Sequence, residues 1–553
     1  MPSKKLRVIP LGGLGEIGMN CMIFEWDSAL VLIDCGIQFP DASYTGVELL
    51  APDFSYLKPR LKNILGVVVT HGHDDHIGAI PFLARDTELD VYCTPFPKGL
   101  LLQKLSEMAD TKEIRFHDVR PREVFSVGPF KFDPIPVAHS IIESLAFVVE
   151  TPVGNVVHSG DFKHDPNEFS GQIFGFGPFK EWSKKGISLL LSDSTNAERA
   201  GHTLSEKDIT VSFKKVFSKQ TGRIIVALFA SNIHRVENLL WLAHKMGKKV
   251  AFAGRSMHAY TRLAHEQGSL KIPSDTIILL ENTGLYPDDE VVVLATGSQA
   301  EPQSALVRIS QGIHKEFELR SGDLVILSSR FIPGNEKAIT TMINHLYRAD
   351  ADVLYESIHQ IHVSGHGFQD ELLMLLKAVK PNYFVPIHGE YRHLAKHGHL
   401  AIREAEIPKE NVLVVEDGQV LELSREGLVR AEKLELRNTI IVDNFFVSGE
   451  PALFSQRNNL SRTGIVFAVM IRSAPEGALA VPPRVTSHGL LFRKGVNPEE
   501  VHEGAVSLLE TLYDASSKQE DPQDFLRLEL RRFFKRYVSH KPVVIPMLVD
   551  IGS

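Results

Sequence analysis

Three histidines and two aspartates fall within six residues in the sequence Thr70-His71-Gly72-His73-Asp74-Asp75-His76, directly after the apolar residues 67–69. Imidazole and carboxylate groups together suit zinc or manganese. A structural zinc site is closed and usually rich in thiolates, but this run contains no cysteine. The run therefore favours a catalytic pair of metal ions. The alternative interpretation is a histidine-rich surface loop that binds nothing.

The spacing sends these side chains in two directions. The first two histidines leave the end of a predicted strand on one side, whereas Asp75 and His76 lie on the following turn and can face a second ion. His139 and Asp161 each follow another strand-like apolar run. A single histidine or aspartate after a strand is usually an ordinary hydrogen-bonded residue. Together with the run at 71–76, these two complete a ligand set.

Short strands are the elements that must position these residues. In the first 200 residues, strand-like runs are predicted at 6–11, 22–24, 29–34, 65–70 and 187–193. Strands that end in His or Asp present those side chains at one edge of a sheet, where a site can assemble. The same pattern returns at 353–355 and 383–386.

Between these two parts the pattern changes. A strand beginning at Arg223 is followed by a helix whose apolar positions 236, 239, 240, 243 and 246 share one face. Further strands are predicted at 248–253, 290–295 and 323–327, alternating with helical stretches, which indicates a parallel α/β unit. The first domain is therefore predicted to be split, with an α/β module inserted into it.

Five segments follow from this pattern. We predict a core domain at 1–207 and 356–447, an insert at 208–355, a linker at 448–462, and a small α/β C-terminal domain at 463–553. The linker assignment rests on its Gly, Pro, Ser and Asn content and its weak periodicity. The C-terminal domain is predicted to contain helices at 499–513 and 525–537 and a strand at 543–549.

One glycine motif near the start of the chain has the pattern of a nucleotide-binding site. Gly13-Leu14-Gly15-Glu16-Ile17-Gly18 fits the G-x-G-x-x-G pattern of dinucleotide-binding proteins, and Asp34 lies about 20 residues on, as that pattern requires. A helix must follow the glycines, but residues 19–25 have the pattern of another strand. We therefore favour a glycine hairpin over a nucleotide site.

The bulk composition is that of an ordinary globular protein. The chain has 553 residues, 43% of them hydrophobic and 23% charged, with a net charge of −8. The charge does not indicate nucleic-acid binding, so any such surface would have to be local. Cys21, Cys35 and Cys93 are odd in number and form no C-x-x-C, which favours a reducing compartment. Without a signal-like start or an apolar run of about 20 residues, we predict a cytoplasmic protein that does not contact membranes.

The ligand set resembles that of a known superfamily. Asp34, His71-x-His73-x-Asp75-His76, His139 and Asp161 look like the ordered motifs of the metallo-β-lactamase superfamily. The resemblance implies an αββα sandwich in which Asp161 bridges two metal ions. It implies that His71, His73 and His139 hold one ion, that Asp75 and His76 hold the other, and that Asp34 orients ligands.

Three later motifs narrow the resemblance to the β-CASP nucleases, whose nucleic-acid-binding domain is inserted into the metallo-β-lactamase core. They are Asp193-Ser194-Thr195, His362-Val363-Ser364-Gly365-His366 and Pro386-Ile387-His388. The resemblance implies that His388 completes the second metal site. It also implies that His366 acts as general acid, supported by Asp193. A histidine at the third motif is typical of the RNA-cutting members.

The match extends over essentially the whole chain to the ribonuclease J family. Residues 12–20, 191–198, 230–235, 295–299 and 332–336 resemble its motifs, and residues 487–489 and 541–546 match more loosely. The family degrades RNA from a 5′-monophosphate end and also cuts internally, in RNA maturation and decay. The resemblance further implies a C-terminal oligomerisation domain, hence a dimer or tetramer, and partners in RNA-decay assemblies.

Residues 362–366 match the family's substrate-phosphate segment. The residue types agree with that role, because small residues allow close backbone approach and hydroxyl, imidazole and N–H groups donate to anions. Ser231, Asn232 and His234 lie at a strand-to-helix junction, where they either help to hold phosphate or simply cap the helix. Arg255 and Arg330 follow strands of the insert and either pair with the RNA backbone or are ordinary surface arginines.

A third ion is a further expectation. Some family members hold a calcium ion, and Gly46, Glu48 and Asp443 align with its ligands, although residues 443–446 depart from the more glycine-rich family pattern. His488 stands where family tails usually have arginine, so no function is transferred to it.

The predicted reaction is hydrolysis of RNA phosphodiester bonds by two zinc or manganese ions. In it, Asp75 binds metal and accepts a proton from water, and His366 protonates the leaving 3′-oxygen. Two alternatives remain open. One is a small-molecule hydrolase acting on thioesters or lactones, and the other is a catalytically inactive RNA-binding subunit. The insert argues against the first, and the complete ligand set argues against the second.

Overall fold

The computed structural model describes residues 4–40, 44–165, 175–332, 334–355, 361–437, 439–443, 445–447, 451–473 and 479–551. The chain divides into two compact units, one formed by 1–39 and 48–447 and the other by 40–47 and 448–553. None of the helices in the described part of the chain has the length and apolar character needed to cross a bilayer.

The first part of the larger unit contains these elements, in chain order: β1 (Leu6–Gly12), β2 (Leu14–Gly15), β3 (Cys21–Trp26), β4 (Ala29–Ile33), β5 (Leu49–Ala51), β6 (Ile64–Val68), α1 (Asp74–Ile77), α2 (Ile80–Leu83), β7 (Leu89–Cys93), α3 (Pro95–Ser106), β8 (Ile114–Asp118), β9 (Phe125–Val127), β10 (Phe130–Pro136), β11 (Leu145–Thr151), β12 (Gly154–His158), α4 (Gly177–Ser183) and β13 (Leu189–Asp193).

The insert follows, with α5 (Glu206–Phe217), β14 (Ile224–Ala227), α6 (Ile233–Lys245), β15 (Lys249–Ala253), α7 (Arg255–Glu266), β16 (Val291–Ala295), α8 (Ala305–Ser310), β17 (Leu324–Leu327), α9 (Glu336–Arg348) and β18 (Asp352–Leu354). The chain then returns to the core with α10 (Gln369–Val379), β19 (Tyr383–Ile387), β20 (Gly389–Glu390), α11 (Tyr391–Glu404), β21 (Gln419–Leu423), β22 (Leu428–Lys433), β23 (Thr439–Val442) and β24 (Phe445–Val447). Short 3₁₀ helices occur at Lys58–Asn63, Leu280–Leu285, Asp288–Glu290 and Lys409–Asn411.

Two sheets form the core. One has the strand order β22-β21-β1-β3-β4-β6-β7-β8 and the other β19-β13-β12-β11-β10-β9. Alternate residues of one strand belong to different apolar clusters. In β13, for example, Leu189 and Leu191 pack between the two sheets, whereas Leu190 faces the cluster that includes α10. In β4, Val31 and Ile33 face the other sheet and Leu32 faces outward. Since both outer faces are also covered, the αββα sandwich is confirmed.

The insert forms its own parallel sheet, with the order β15-β16-β14-β17-β18. Its strands pair in parallel register, for example Ile224 with Val292 and with Leu324. Helices follow its strands, as the alternating pattern predicted. The core sheet is completed by a strand that follows the insert in the chain. β13, before the insert, pairs in parallel with β19, after it, and Leu189 lies opposite Tyr383.

The glycine motif connects the antiparallel strands β1 and β3, in which Gly12 lies opposite Cys21, so the expected glycine hairpin is confirmed. Strand β3 follows it, as expected, and β2 within it pairs with β20, Leu14 opposite Gly389. Gly13 has a φ of 92°, and a Cβ there would lie 2.4 Å from Oδ1 of Asn20. The motif therefore packs against the segment that directly follows His388.

The smaller unit contains α12 (Pro451–Thr463), β25 (Ile465–Ser473), β26 (Arg484–His488), α13 (Pro498–Ser516), α14 (Pro522–Phe534) and β27 (Val543–Ile551), with the sheet order β26-β25-β27. The irregular linker expected at 448–462 is wrong for its described residues, which form α12. Residues 448–450 lie outside the described part. Sequence periodicity misses α12 because its contacts come from far away in the chain. The ring of Phe454 lies against Tyr44, and the hydroxyl of Thr45 donates to Asn458 at 2.7 Å.

Candidate metal centre

The ligand-type side chains meet at one edge of the core sandwich. His71 and His73 follow β6, His139 follows β10, Asp161 follows β12, and His388 follows β19. Asp75 and His76 lie on α1, a short helix rather than the expected turn. The backbone around the site is partly left-handed, with φ of 60° at Asp34 and 53° at His388. Such conformations in non-glycine residues are concentrated at functional sites.

The first ligand group consists of His71, His73, His139 and Asp161. Nδ1 of His73 lies 3.0 Å from Nε2 of His71 and 3.2 Å from Nε2 of His139. Oδ2 of Asp161 lies 3.7 Å from Nε2 of both His71 and His139. Burial lowers the pKa of all three histidines, to about 4 for His73. They are therefore neutral at pH 7 and have a free lone pair.

The second ligand group consists of Asp75, His76, Asp161 and His388. Oδ2 of Asp161 lies 3.2 Å from Nε2 of His76 and 3.6 Å from Nε2 of His388. Oδ2 of Asp75 lies 3.3 Å from the same nitrogen of His388. Burial raises the pKa of Asp75, but His76 and His388 outweigh it, so the pKa of this carboxyl lies well below its usual range. One oxygen of Asp161 thus belongs to both groups.

Both groups fit divalent metal ions. A tetrahedral zinc ion with Zn–N distances of about 2.0–2.1 Å separates its ligand atoms by about 3.3 Å. The nearest ligand atoms of the first group are 3.0 to 3.7 Å apart, and in each group all of them lie within 4.8 Å of one another. Two histidines and two carboxylate positions in the second group suit the same class of ion.

Outer hydrogen bonds fix which histidine nitrogen faces the centre. Nδ1 of His139 donates to the carbonyl of Gly365 at 2.7 Å, and Nδ1 of His76 lies 2.8 Å from Oδ2 of Asp34. Nδ1 of His388 lies 2.7 Å from the hydroxyl of Thr195. In each case Nε2 is left to face the ligand group, an arrangement that orients metal-binding histidines in proteins.

Asp34 and Asn20 support the second group further. Asp34 also accepts hydrogen bonds from the backbone N–H and the hydroxyl of Thr70, both at 2.7 Å. The side-chain amide of Asn20 lies 3.1 Å from Nε2 of His76 and 3.2 Å from the carbonyl of Asp75. Sequence reasoning assigned Asp34 this orienting position but did not identify Asn20.

A third cluster lies beside the two ligand groups. Nδ1 of His366 lies 2.8 Å from Oδ2 of Asp193 and 3.9 Å from Oδ2 of Asp161. Burial lowers the pKa of His366, but Asp193 and Asp161 outweigh it and raise the pKa to about 9. The other oxygen of Asp193 accepts from the backbone N–H and hydroxyl of Thr195. His366 is therefore a protonated group held next to the centre at neutral pH.

The phosphate segment, residues 362–366, runs past the first ligand group. A Cβ on Gly365 would lie 2.6 Å from Oγ of Ser140 and 2.9 Å from the ring of His139, so only glycine fits there. Val363 is buried in the apolar core, so only its backbone is available to a ligand. Ser364 is partly exposed, and its hydroxyl accepts from the amide of Asn196 at 2.7 Å. Sequence reasoning did not single out Asn196, although its position after Thr195 was a signal.

The residues at the β14–α6 junction take different positions. Asn232 caps α6 by accepting from the N–H of Arg235 at 3.0 Å, which fits the capping interpretation. The hydroxyl of Ser231 lies 3.3 Å from Nε2 of His73, so it contacts a ligand histidine. His234 is partly buried, and burial lowers its pKa to about 3. Arg255 and Arg330 are both exposed.

The expected calcium ligands lie in different units. The N–H of Asp443 donates to Oε2 of Glu48 at 3.1 Å within the larger unit. Gly46 belongs to the smaller unit. The calcium site at Gly46, Glu48 and Asp443 stays a prediction from the sequence.

Four family models match the chain in sequence. They are a beta-lactamase superfamily domain at 30–180, a ribonuclease J beta-CASP domain at 221–346, a Zn-dependent metallo-hydrolase RNA specificity domain at 350–414 and a ribonuclease J C-terminal domain at 453–551.

Relatives match over almost the full length. Ribonuclease J of Helicobacter pylori is 35% identical over 541 residues, covering 96% of this chain and 78% of that protein. Ribonuclease J of Thermus thermophilus is 34% identical and covers 99% and 96%, and ribonuclease J2 of Bacillus subtilis is 29% identical and covers 99% of each. A crystal structure of a protein of unknown function from Enterococcus faecalis covers 76% of this chain and 100% of that one, with a TM-score of 0.55 at 16% identity, and supports the fold. The chain belongs to the ribonuclease J family.

Proposed function

We propose that this protein hydrolyses RNA from a 5′-monophosphate end, releasing 5′-mononucleotides, and also cuts RNA internally. Membership of the ribonuclease J family and the complete pair of ligand groups support metal-dependent hydrolysis of RNA. The observation that carries the proposal is the shared oxygen of Asp161, which lies within 3.9 Å of ligand histidines in both groups and of His366.

The ligand groups would hold two divalent ions, for which we propose zinc or manganese. When bound, such ions activate water and neutralise charge on a phosphate. His71, His73, His139 and Asp161 would hold one ion, and Asp75, His76, Asp161 and His388 the other. The pKa of Asp75 lies well below its usual range, so this carboxylate stays ionised and suits metal binding better than proton transfer.

His366 would act as the general acid. Its Nδ1 is held by Asp193, so Nε2 carries the proton that can be transferred to the leaving 3′-oxygen. Its raised pKa keeps that proton in place at neutral pH. Asp193 would position the ring, and Thr195 in turn fixes Asp193. A positioned acid of this type contributes about 10²- to 10⁴-fold to a rate.

The phosphate segment would bind the 5′-monophosphate or the phosphate next to it. The hydroxyl of the partly exposed Ser364, the ring of His362 and the backbone at Gly365 would supply donors there. Ser231 would take part by orienting His73 rather than by direct contact alone. The insert at 208–355 and the core at 1–207 and 356–447 would then bind RNA between them, through locally basic surface that includes Arg255 and Arg330.

The test is a comparison of one RNA carrying a 5′-monophosphate with the same RNA carrying a 5′-triphosphate, each incubated with Mn²⁺- or Zn²⁺-loaded protein. We expect mononucleotides from the monophosphate RNA and none from the Asp75→Ala variant. Asp74→Asn is the matched control, because Asp74 is the neighbouring aspartate on α1 and pairs with Lys104 at 2.8 Å outside the ligand groups. Failure of the metal-loaded wild type to cut either RNA would refute the proposal.

We also propose that the C-terminal domain forms a dimer or tetramer. β27 is an edge strand, and alternate residues on one of its faces are exposed and apolar: Ile545, Met547, Val549 and Ile551, each 39–48% exposed. A continuous exposed apolar face is typical of an interface. Met547→Glu should convert a larger species to one of 61.6 kDa in light scattering. A wild-type protein that elutes only at 61.6 kDa contradicts this.

A further inference from the structure

Two fully buried arginines lie in the insert, one just before β14 and one on the helix that follows it. Arg223 and Arg235 are each 2% exposed. Arg223 binds Asp323 through two hydrogen bonds of 2.6 and 2.9 Å and donates to the carbonyl of Glu318. Its partners all belong to the insert, so its role is confined to that domain's fold.

Arg235 differs because its contacts leave the insert. It binds Glu206 through hydrogen bonds of 2.8 and 3.3 Å and donates to the carbonyl of Ser328 at 2.9 Å. The same guanidinium reaches the carbonyl of Val363 at 3.3 Å and Nδ1 of His362 at 3.2 Å. It therefore joins the insert to the beginning of the phosphate segment.

The other end of that segment is held from the core. Asn196 is 5% exposed, and its amide donates to Oγ of Ser364 at 2.7 Å and to the carbonyl of His366 at 3.0 Å. The backbone N–H of His366 donates to the same hydroxyl at 3.1 Å. One side chain from the insert and one from the core thus fix a segment of five residues.

Arg235 also affects the chemistry of His362. A guanidinium has only donors, so where Arg235 donates to Nδ1 of His362 the ring proton lies on Nε2; the backbone of Ser328 also forms a hydrogen bond with this ring. Burial and Arg235 lower the pKa of His362 to about 3, which keeps the ring neutral. A neutral imidazole with N–H at Nε2 is a donor for an anionic oxygen.

We propose that Arg235 is a positioning residue for the reaction. Together with Asn196 it holds the phosphate segment in place, and it keeps His362 in the tautomer that donates from Nε2 to a substrate phosphate. This inference rests on the proposed function, since it assigns a role within that site. Through Arg235 the insert would contribute to phosphate binding, in addition to the surface contacts with RNA proposed above.

Arg223→Lys provides a matched control for Arg235→Lys. Both changes remove a bidentate hydrogen bond to a carboxylate, with Asp323 for Arg223 and with Glu206 for Arg235. A purely structural role of Arg235 therefore predicts a lower melting temperature for each variant and the same kinetics for the two. We measure kcat and KM on 5′-monophosphate RNA with the metal-loaded full chain. We also measure the inhibition constant of adenosine 5′-monophosphate and the melting temperature.

Arg235→Lys should raise the inhibition constant and lower kcat/KM by about 10- to 100-fold, the typical effect of a small displacement at a site. Arg223→Lys should leave both within about twofold of the wild type, a size typical of uncoupled positions. His362→Ala should reproduce the inhibition defect, and adding Arg235→Lys should not increase it. Equal kinetics for Arg223→Lys and Arg235→Lys would overturn the inference. If Arg235→Lys does not fold, His362→Ala provides the test, and an unchanged inhibition constant in that variant would overturn the inference. Both results require a wild type that cuts RNA, and the failure of that activity would refute the proposed function instead.

Discussion

His366→Ala should abolish acid catalysis while leaving the metal ligands in place. At pH 7 the ring of His366, with a pKa of about 9, is protonated in a ratio of about 100 to 1. The 2.8 Å bond to Asp193 fixes its orientation, so the acid is both charged and positioned. We therefore expect a loss of about 10²- to 10⁴-fold in the single-turnover rate, equivalent to about 2.7–5.4 kcal/mol.

The assay separates this role from a general loss of structure. One RNA carries a natural 3′-oxygen at the first scissile bond, and a second carries a bridging sulfur there. A thiolate leaves without a proton, because a thiol has a pKa of about 8.5. His366→Ala should therefore lose less than about tenfold on the sulfur RNA, since the acid contributes little when the leaving group needs no proton.

Asp193→Asn provides an intermediate case. The amide is the same size and can keep the contacts to Thr195, but it removes the charge that raises the pKa of His366 most. In the wild type the raised pKa keeps His366 protonated until the pH passes that pKa. In Asp193→Asn the pKa of His366 should be lower, so as the pH rises the activity should be lost at a lower pH than in the wild type. An equal loss on the oxygen and sulfur RNAs in His366→Ala, with metal content unchanged, would refute the reasoning.

Three further outcomes follow from the same structure. The pKa of Glu206 is depressed to about 2 by Arg235, although burial opposes this; the resulting stability is present above its ordinary pKa of about 4.5 and is lost as the pH falls toward 2. Glu206→Gln should therefore lower the melting temperature at pH 7 and flatten its decline between pH 5 and 2, as followed by circular dichroism. Gly36→Ala should reduce metal content, measured by mass spectrometry, because a Cβ there would lie 1.7 Å from the carbonyl of Asp75. Gly177→Ala, where nothing lies within 4 Å, should retain its metal. Removal of metal by a chelator should lower the melting temperature, since ligands that bind only the folded state stabilise it by about 2.7 kcal/mol at 100 times Kd.

Much of the core could be predicted from periodicity. The strand-like run at 187–193 corresponds to β13 and the helical face at 236–246 to α6, because alternation and helical spacing report directly on which face is buried. The helix α12 was missed. It packs residues 454 and 458 against residues 44 and 45, and such long-range contacts leave no local pattern.

The same limit applies to the site. Its histidines and aspartates have rare ligand chemistry and could be selected from the sequence alone. Asn20, Asn196 and Arg235 are common residue types whose importance depends on partners 55, 168 and 128 residues away. For Val363 the sequence predicted too much. Its position in the phosphate segment suggested a contact with substrate, but its side chain is buried.

The late closure of the core has a consequence for synthesis on the ribosome. β13 can pair with β19 only after β19 has been synthesised. Thr195 likewise contacts His388, which lies 193 residues later in the chain. At about 5–20 residues per second, roughly 10–40 s separate their emergence. During that interval β13 has an unpaired edge and the second ligand group lacks His388. We therefore expect the nascent polypeptide not to cleave the messenger and ribosomal RNA around it until most of its length has been translated.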